Sequence, residues 1–209
     1  MACHVLQHPL AAHHLSLLRA EETTPAEFRR ALRQLATLLA VEASNNLPTC
    51  SVEVRTPLCA TTGAAISVRI GIVPILRAGL GMVEPLLDLI PTAEVWHLGL
   101  YRDEVSAQPV EYYSQLPDQR PVDIAFVLDP MLATGGSATL ALEALQRWGV
   151  REIRLLSVIA AEGGLERVVR AFPNTALFVC AVDAELNDRK FIVPGLGDAG
   201  DRTFNTQMG

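Results

Sequence analysis

The segment from Asp129 to Ser137 carries residue types that suit the binding of a phosphate group. Its two adjacent glycines allow backbone N–H groups to approach an anion, and the hydroxyls of Thr134 and Ser137 are further hydrogen-bond donors. A helical pattern begins at about Ala138, so the positive end of a helix dipole is expected beside these donors. The segment therefore predicts a phosphate-binding loop at the start of a helix.

The carboxylate of Asp129 opens this loop and would repel a phosphate placed directly beside it. The repulsion is avoided where the carboxylate accepts hydrogen bonds from hydroxyls or faces a part of the ligand that binds a metal ion. A sugar phosphate meets both conditions. The alternative is that Asp129-Pro130 only initiates a turn and that the glycine pair only begins a helix. The apolar run before Asp129 favours the sugar phosphate, because it places the loop at the end of a strand.

The sequence lacks the P-loop motif. No segment matches G-x-x-x-x-G-K-[ST], and the only lysine of the chain is Lys190. The spacing G-x-G-x-x-G occurs once, at Gly195, Gly197 and Gly200, but in the glycine-rich tail rather than in the turn between a strand and a helix of a βαβ unit. The sequence therefore gives no support for a P-loop kinase and only weak support for an enzyme with a dinucleotide cofactor.

Two strand, loop and helix units are expected to position the candidate residues. The apolar run Val122–Leu128 predicts a strand before the phosphate-binding loop, and the helix after it is expected to end at Trp148, before Gly149. The same order recurs at Ile66–Leu76, which is followed by a glycine-bearing turn that begins with Arg77. Ligands of open α/β sheets bind beyond the carboxyl ends of the strands, so both turns are expected at the binding edge.

The remaining pattern also predicts alternating helices and strands rather than short hairpins. Further strands are expected at Glu94–Gly99, Ile153–Ala161 and Ala176–Val182, with a short helix at Gly164–Phe172. Together these elements predict an α/β fold with about five parallel strands flanked by helices.

Capping and composition mark the other segments. Thr24, Pro25 and Glu27 have the spacing of a capping box at the start of a helix. The polar segment between Arg102 and Pro121 and the glycine-rich tail after Val182 are expected to be irregular and to cover the carboxyl ends of the strands.

The composition fits a single globular domain. The chain has 209 residues, of which 50% are hydrophobic and 19% are charged, which excludes a largely disordered or collagen-like protein. The net charge of −6 offers no general attraction for nucleic acid. We therefore expect no nucleic-acid partner, and an anionic ligand requires local cations.

The cysteines, the N-terminal sequence and the lengths of the apolar runs indicate the cellular compartment of the protein. The four cysteines form no C-x-x-C pair, and the N-terminal sequence lacks the basic and apolar regions of a signal peptide. Charged residues, prolines or glycines interrupt every apolar run before about 18 residues, so no membrane span is expected. The sequence predicts a cytoplasmic protein with reduced thiols.

Three long segments resemble those of the uracil phosphoribosyltransferases, a family of type I phosphoribosyltransferases. They are VPILRAGLGM (Val73–Met82), LDPMLATGGS (Leu128–Ser137) and VPGLGDAGDR (Val193–Arg202), preceded by HPL-x-x-H-x-L-x-x-L-R (His8–Arg19). The resemblance covers nearly the whole chain. It implies one domain over residues 1–209 with a type I phosphoribosyltransferase-like fold. The core would be about 60–182, and the hood would consist of about 183–209, a flexible loop and the N-terminal helices.

The resemblance implies a reaction and its participants. The 5-phosphoribosyl group of 5-phosphoribosyl diphosphate (PRPP) would pass to N1 of uracil, giving UMP and diphosphate, with Mg²⁺ held mainly by PRPP and water rather than by the protein. By the same resemblance, GTP is an expected effector and the chain is expected to form a homodimer or a larger homo-oligomer.

The resemblance also assigns residues to this reaction. Asp129 would contact the ribose hydroxyls, Ala133 to Ser137 would surround the 5-phosphate, and Arg77 and Arg102 would bind the diphosphate. Arg102 and Asp198 would be the catalytic residues, the second by contacting PRPP or by assisting removal of the N1 proton. The implied PRPP-binding residues are Arg77, Arg102, Asp129, Pro130, Met131, Leu132, Ala133, Thr134, Gly135, Gly136, Ser137 and Asp198. The implied uracil-binding residues are Ile192, Gly197, Asp198 and Ala199.

Five positions depart from the family pattern. Lys190-Phe191 stands where Gly-Tyr is usual, which removes a phenolic hydroxyl and a residue that readily adopts positive φ. Val41 replaces a common Tyr, Glu162 a common Pro and Asn205 a common Gly. These departures bear more on the base side of the site than on the type of reaction.

Two other functions remain as alternatives. A nucleotide-sensing regulator could use the same fold to bind RNA, but it would need a basic face, which the sequence does not suggest. A phosphoribosyltransferase for another base would share the PRPP-binding segments and differ in the segment that binds the base.

Overall fold

The computed structural model describes residues 3–102, 109–114, 116 and 120–206. The helices are α1 (Pro9–Arg19), α2 (Pro25–Ser44), α3 (Val83–Leu89), α4 (Gly136–Trp148), α5 (Glu162–Ala171) and α6 (Ala199–Phe204), with a 3₁₀ helix at Ala78–Met82 before α3. The strands are β1 (Cys3–Val5), β2 (Thr49–Arg55), β3 (Ala60–Ile66), β4 (Ile70–Pro74), β5 (Glu94–Val95), β6 (Leu98–Arg102), β7 (Pro109–Ser114), β8 (Ile124–Leu128), β9 (Met131–Leu132), β10 (Glu152–Ala161), β11 (Ala176–Asp183), β12 (Glu185–Leu186) and β13 (Ile192–Val193).

A parallel sheet forms the centre of the fold. Its order is β1-β11-β10-β8-β4-β5, and β9 pairs with β10. Every residue of β4 and β8 is buried, as expected for strands covered on both faces. Pro74 pairs with Leu128, and Leu128 pairs with Leu156. The chain therefore leaves β4 and β8 at neighbouring points on one edge of the sheet.

Helices cover both faces of this sheet. Phe28 and Leu32 of α2 pack with Phe126 on one face, while Leu142 of α4 packs with Val127 on the other. Helix α2 also packs against α6, which joins the N-terminal helices to the C-terminal segment. The α/β fold class predicted from the sequence is therefore confirmed.

Local signals were reliable where the sequence contained them. At Thr24 the predicted capping box is present: Thr24 N–H donates to Glu27 Oε2 at 3.0 Å, and Glu27 N–H donates to the Thr24 hydroxyl at 3.4 Å. Gly149 ends α4 in the left-handed conformation with φ 98°, as predicted. The predicted strands that became β8, β10 and β11 agree with the structure within two residues at each end.

Two hairpins were not predicted. Strands β2 and β3 pair antiparallel, so Ile66 ends β3 and the strand predicted at Ile66–Leu76 begins only at Ile70. The strand predicted at Glu94–Gly99 divides into β5 in the main sheet and β6, which pairs antiparallel with β7 in the segment expected to be a loop. Strand β2 does alternate, with Cys50, Val52 and Val54 between polar residues, and the prediction missed this signal. Its partner β3 (ATTGAAI) has no such alternation, so the sequence did not indicate the pairing.

The tail after Val182 is more regular than predicted. It contains the β12–β13 pair and α6, and the Asp198 side chain caps α6 by accepting from Asp201 N–H at 2.9 Å. The short strands β1 and β9, which were not predicted, raise the main sheet of the described chain to seven strands instead of about five.

Within the described residues, no helix combines the length and the apolar character needed to cross a membrane.

Candidate functional site

A cleft of about 420 Å³ opens at the carboxyl ends of β4 and β8. Three segments line it: the turn after β4, the loop after β8, and the part of the tail on either side of β13. The register of β4 and β8 brings the first two segments together. The tail supplies the third wall. Its residues 184–206, the described C-terminal part of the expected hood, are called the hood below.

The loop after β8 has the form that its sequence predicted. Gly135 has φ +77° at the N-terminus of α4, and its carbonyl accepts from the Thr139 hydroxyl at 2.8 Å. The first N–H groups of a helix have no partner within the helix, and here Gly136 and Ser137 line the cleft. This end of the cleft can therefore bind an anion through backbone N–H groups and hydroxyls.

The loop after β8 packs directly against the first turn of α5, through Gly135 on the loop and Gly164 on the helix. A Cβ on Gly164, in the first turn of α5, would lie 2.0 Å from the carbonyl oxygen of Ala133. A Cβ on Gly135 would lie 2.9 Å from the carbonyl oxygen of Gly164. The two backbones touch, so α5 fixes the position of the loop.

Asp129 follows β8 directly and lines the floor of the cleft. Burial raises the pKa of its carboxyl group to about 7, although a hydrogen bond from Met131 N–H to Oδ1 at 3.3 Å acts in the opposite direction. Near neutral pH the carboxyl group is therefore partly protonated without a ligand. Hydroxyl donors or a cation on a ligand would favour the ionised form.

Arg77 stands at the opposite wall, after β4. Its guanidinium is 58% exposed and lies 3.1 Å from Asp201 Oδ1 on the hood. The turn that carries it is pressed against β8, because a Cβ on Gly79 would lie 2.4 Å from the carbonyl oxygen of Leu128. An arginine and a phosphate-binding loop thus face the same space.

The structure brings most of the predicted residues to the cleft. The lining includes Arg77, Asp129, Met131, Leu132, Ala133, Thr134, Gly135, Gly136, Ser137, Ile192 and Asp198. Pro130 is buried beneath the loop, and Ala199 is buried at the start of α6. Gly197 lines a second cleft on the outer side of the hood. Arg102 is the last residue of β6, and its side chain lies outside the described part of the structure.

Several cleft residues were not predicted as ligand contacts, and three of them carry the rim. Arg189, Lys190 and Phe191 form the rim on the hood side, with the Arg189 guanidinium 5.7 Å from the centre of the Phe191 ring. Asn187 fixes this turn, since its side-chain oxygen accepts from Phe191 N–H at 2.9 Å. Arg189 gave no sequence signal, because an exposed arginine beside an aspartate is typical of any protein surface. With Arg77, Arg189 and Lys190 give the cleft three cationic side chains beside the carboxyl groups of Asp129 and Asp198, in a chain of net charge −6.

The comparisons with known proteins agree with this geometry. The model of a protein family described as uracil phosphoribosyltransferase matches residues 5–206. The uracil phosphoribosyltransferase of Roseiflexus castenholzii is 54% identical over 202 residues, which cover 97% of each chain. That of Desulfitobacterium hafniense is 49% identical over 205 residues, or 98% of each chain.

Two solved structures extend the comparison. A protein from Aquifex aeolicus, 36% identical, superposes over 100% of both chains with a TM-score of 0.93. A hypoxanthine phosphoribosyltransferase from Trypanosoma cruzi complexed with IMP is 10% identical and superposes with a TM-score of 0.51, covering 76% of this chain and 75% of that one. The second likeness concerns the fold alone.

Proposed function

Because the chain belongs to the uracil phosphoribosyltransferase family, we propose that its cleft transfers the 5-phosphoribosyl group of PRPP to N1 of uracil. The new bond joins N1 to the anomeric carbon, the bond from that carbon to the diphosphate oxygen breaks, and N1 loses its proton. One observation carries the proposal: a helix N-terminus, a buried carboxyl group and an arginine that suit the parts of PRPP all face one cleft.

PRPP fits the cleft by its charges. The 5-phosphate lies at the N-terminus of α4, where Thr134 and Ser137 add hydroxyl donors. Asp129 accepts hydrogen bonds from the ribose hydroxyls, and this favours its ionised form. The diphosphate lies toward Arg77, which exchanges its contact with Asp201 for the phosphate oxygens.

Catalysis by this cleft is positioning and electrostatic stabilisation. Positive charge develops on the ribose ring and negative charge on the diphosphate, so no nucleophilic side chain is required. Arg102, which follows from family resemblance, stabilises the leaving group. Replacing it by alanine is expected to lower kcat/KM by roughly ten- to a hundredfold, corresponding to about 1.5–3 kcal/mol. A steady-state assay that finds kcat/KM unchanged would remove Arg102 from the mechanism.

Uracil is proposed to bind on the hood side of the cleft. Ile192 and Asp198 line the cleft there, whereas Gly197 and Ala199 do not line it and are assigned to the base by family resemblance alone. A site that reads the pyrimidine edge through backbone donors and acceptors rejects a base with a different pattern. Asp198 Oδ1 accepts from Asp201 N–H, while Oδ2 has no hydrogen-bond donor among the described residues and is the oxygen we assign to the N1 proton.

Magnesium is proposed to enter with PRPP. Among the described residues, no group of three or more His, Cys, Asp or Glu side chains is arranged to hold a metal ion. Asp129 is a hard oxygen ligand at the cleft floor, which fits Mg²⁺ bound chiefly by substrate oxygens and water. When bound, the ion would neutralise part of the diphosphate charge. Loss of activity in chelator, restored by added Mg²⁺, tests this proposal.

Three further properties are proposed for the whole protein. A homodimer or larger homo-oligomer is supported by exposed apolar side chains on the β2–β3 ribbon, among them Leu58, which is 95% exposed. A monomer in sedimentation velocity experiments would contradict it. GTP activation follows from family resemblance and is tested by UMP formation with and without GTP. A cytoplasmic location is supported by four free cysteines.

The proposed reaction is tested by UMP formation from uracil and PRPP in the presence of Mg²⁺. Cytosine, hypoxanthine and orotate compete in the same assay, and uracil is expected to be the preferred base. Preference for another base would reassign the substrate. Salt-dependent RNA binding without UMP formation would instead favour the regulator.

A further inference from the structure

The hood loop Pro194–Asp198 is fastened on its outer side by an ion pair that does not line the cleft. Asp183 ends β11 and is 7% exposed, and its two oxygens lie 2.6 and 2.8 Å from the guanidinium of Arg19 at the end of α1. Asp183 Oδ2 also accepts from Gly195 N–H at 3.1 Å, while Arg19 donates to the Gly195 carbonyl at 2.9 Å. Both backbone polar groups of Gly195 are thus bonded to this pair.

Gly195 itself cannot be held by a side chain. Its φ is +62°, and a Cβ would lie 2.0 Å from the Ile192 carbonyl oxygen. A side chain cannot be placed there to pack this residue into position. The position of the Gly195 backbone therefore depends on its hydrogen bonds from Arg19 and to Asp183.

A second arginine joins the same region of α1 to the next residue of the loop. Arg202 of α6 donates to the carbonyl oxygens of Leu18 at 2.5 Å, Ala20 at 2.6 Å and Leu196 at 2.8 Å. Its guanidinium also packs over the Phe28 ring, 4.6 Å from the ring centre. The end of α1 is therefore bonded to Gly195 through Arg19 and to Leu196 through Arg202.

A base-binding site made of backbone groups gains its accuracy from whatever holds the backbone. A displacement of about 1 Å in a binding or catalytic group can cost about 10²-fold in rate. A bidentate pair between arginine and carboxylate is among the most rigid contacts available, and lysine cannot reproduce its fork.

We infer that Arg19 and Asp183 are positioning residues for base recognition, acting through Gly195 on the hood loop that ends at Asp198 in the cleft. This inference rests on the proposed function, in which the hood binds the base. The PRPP-binding loop after β8 is held by α5 instead, so its affinity does not depend on the pair.

Arg19→Lys tests the inference, because it keeps the charge and loses the fork. We expect KM for uracil to rise by about tenfold, KM for PRPP to change by less than about twofold, and the preference for uracil over cytosine to fall. Arg69→Lys is the matched control. It alters a similar contact, in which two guanidinium nitrogens lie 3.1 and 2.8 Å from Glu94 Oε1, and should leave all three values unchanged. Equal rises in both KM values would overturn the inference.

Hydrogen exchange supplies a readout that is independent of turnover. The peptide containing Gly195 should exchange faster in Arg19→Lys than in the wild type or in Arg69→Lys. Unchanged exchange would overturn the inference. Asp183→Asn should reproduce the faster exchange if Arg19→Lys does not fold. A wild type that forms no UMP would refute the proposed function alone, and exchange would then decide whether the pair holds the loop.

Discussion

At the scale of single residues, backbone conformation explains two of the departures from the family pattern. At a third, Lys190, it shows a residue in an unfavourable conformation. Asn205 ends α6 with φ 56°, a conformation that Asn tolerates better than most residues. Glu162 is the first residue of α5, where Pro and acidic side chains are both favourable. Lys190 also has a positive φ, 63°, but a lysine has no comparable preference for it.

We therefore predict that Lys190→Gly stabilises the protein. Relief of the left-handed conformation contributes about 1–2 kcal/mol, and the greater freedom of Gly in the unfolded chain offsets roughly 0.5–1 kcal/mol of it. The melting temperature should rise by about 1–4 °C in differential scanning calorimetry. Lys190→Ala removes the same charge but keeps Cβ, and should give no such rise. Equal melting temperatures for the two variants would contradict the strain explanation.

Replacing Asp129 by asparagine should raise stability above neutral pH and abolish activity. Its native pKa, about 7, lies above the unfolded value, so the native state binds more protons between about pH 4 and pH 7. Stability without ligand therefore falls as pH rises through this range. Asp129→Asn removes the titration and should be more stable than the wild type at pH 8, with little difference near pH 4, while UMP formation is lost.

Thermal melts of both proteins across this pH range, without ligand, measure the difference. A wild type whose stability relative to Asp129→Asn does not change between pH 4 and pH 8 would show that the carboxyl group is not buried as described.

At the scale of elements, the strands that are buried on both faces were the easiest to predict from the sequence. Strands β4, β8 and β10 lie between helices on both faces, so their apolar runs could be recognised without knowledge of their partners. The β2–β3 ribbon is mostly exposed, and its pairing depends on a register that no residue pattern specifies. Asp129 and its loop were predictable for the same reason as β8, whereas the rim residue Arg189 depends on the course of the hood.

The contact between α5 and the phosphate-binding loop gives a prediction with its own control. Gly164→Ala would place Cβ 2.0 Å from the Ala133 carbonyl oxygen, so the loop must move, and Kd for PRPP should rise by tenfold or more. Gly163→Ala, one residue earlier, meets nothing within 4 Å and should leave Kd unchanged. Isothermal titration with PRPP measures both, and similar affinities for the two variants would show that α5 does not support the loop.

At the scale of the whole molecule, the cleft unites distant parts of the chain. Arg77 and Asp201 meet across it, and α2 packs on both the sheet and the hood helix. A ligand that contacts the sheet edge and the hood should therefore stabilise the entire fold. These contacts between the sheet edge and the hood could not be predicted from local sequence, because they depend on how the tail returns over the sheet.

PRPP with Mg²⁺ is accordingly expected to raise the melting temperature. At a concentration of 100 times Kd, binding to the native state contributes about 2.7 kcal/mol, or roughly 5–10 °C for a chain of this size. Ribose without phosphates should have little effect, and Asp129→Asn should lose most of the increase. An unchanged melting temperature for the wild type at saturating PRPP would contradict binding in this cleft.

The contact of Arg77 with Asp201 has a consequence for turnover if the cleft binds PRPP as proposed. Since the guanidinium already has an anionic neighbour before substrate arrives, its attraction for diphosphate would be the difference between two pairings rather than the full strength of one. The same carboxylate would pair with the arginine again as the product departs. Such an internal competitor would weaken the hold on the expelled anion and favour its release.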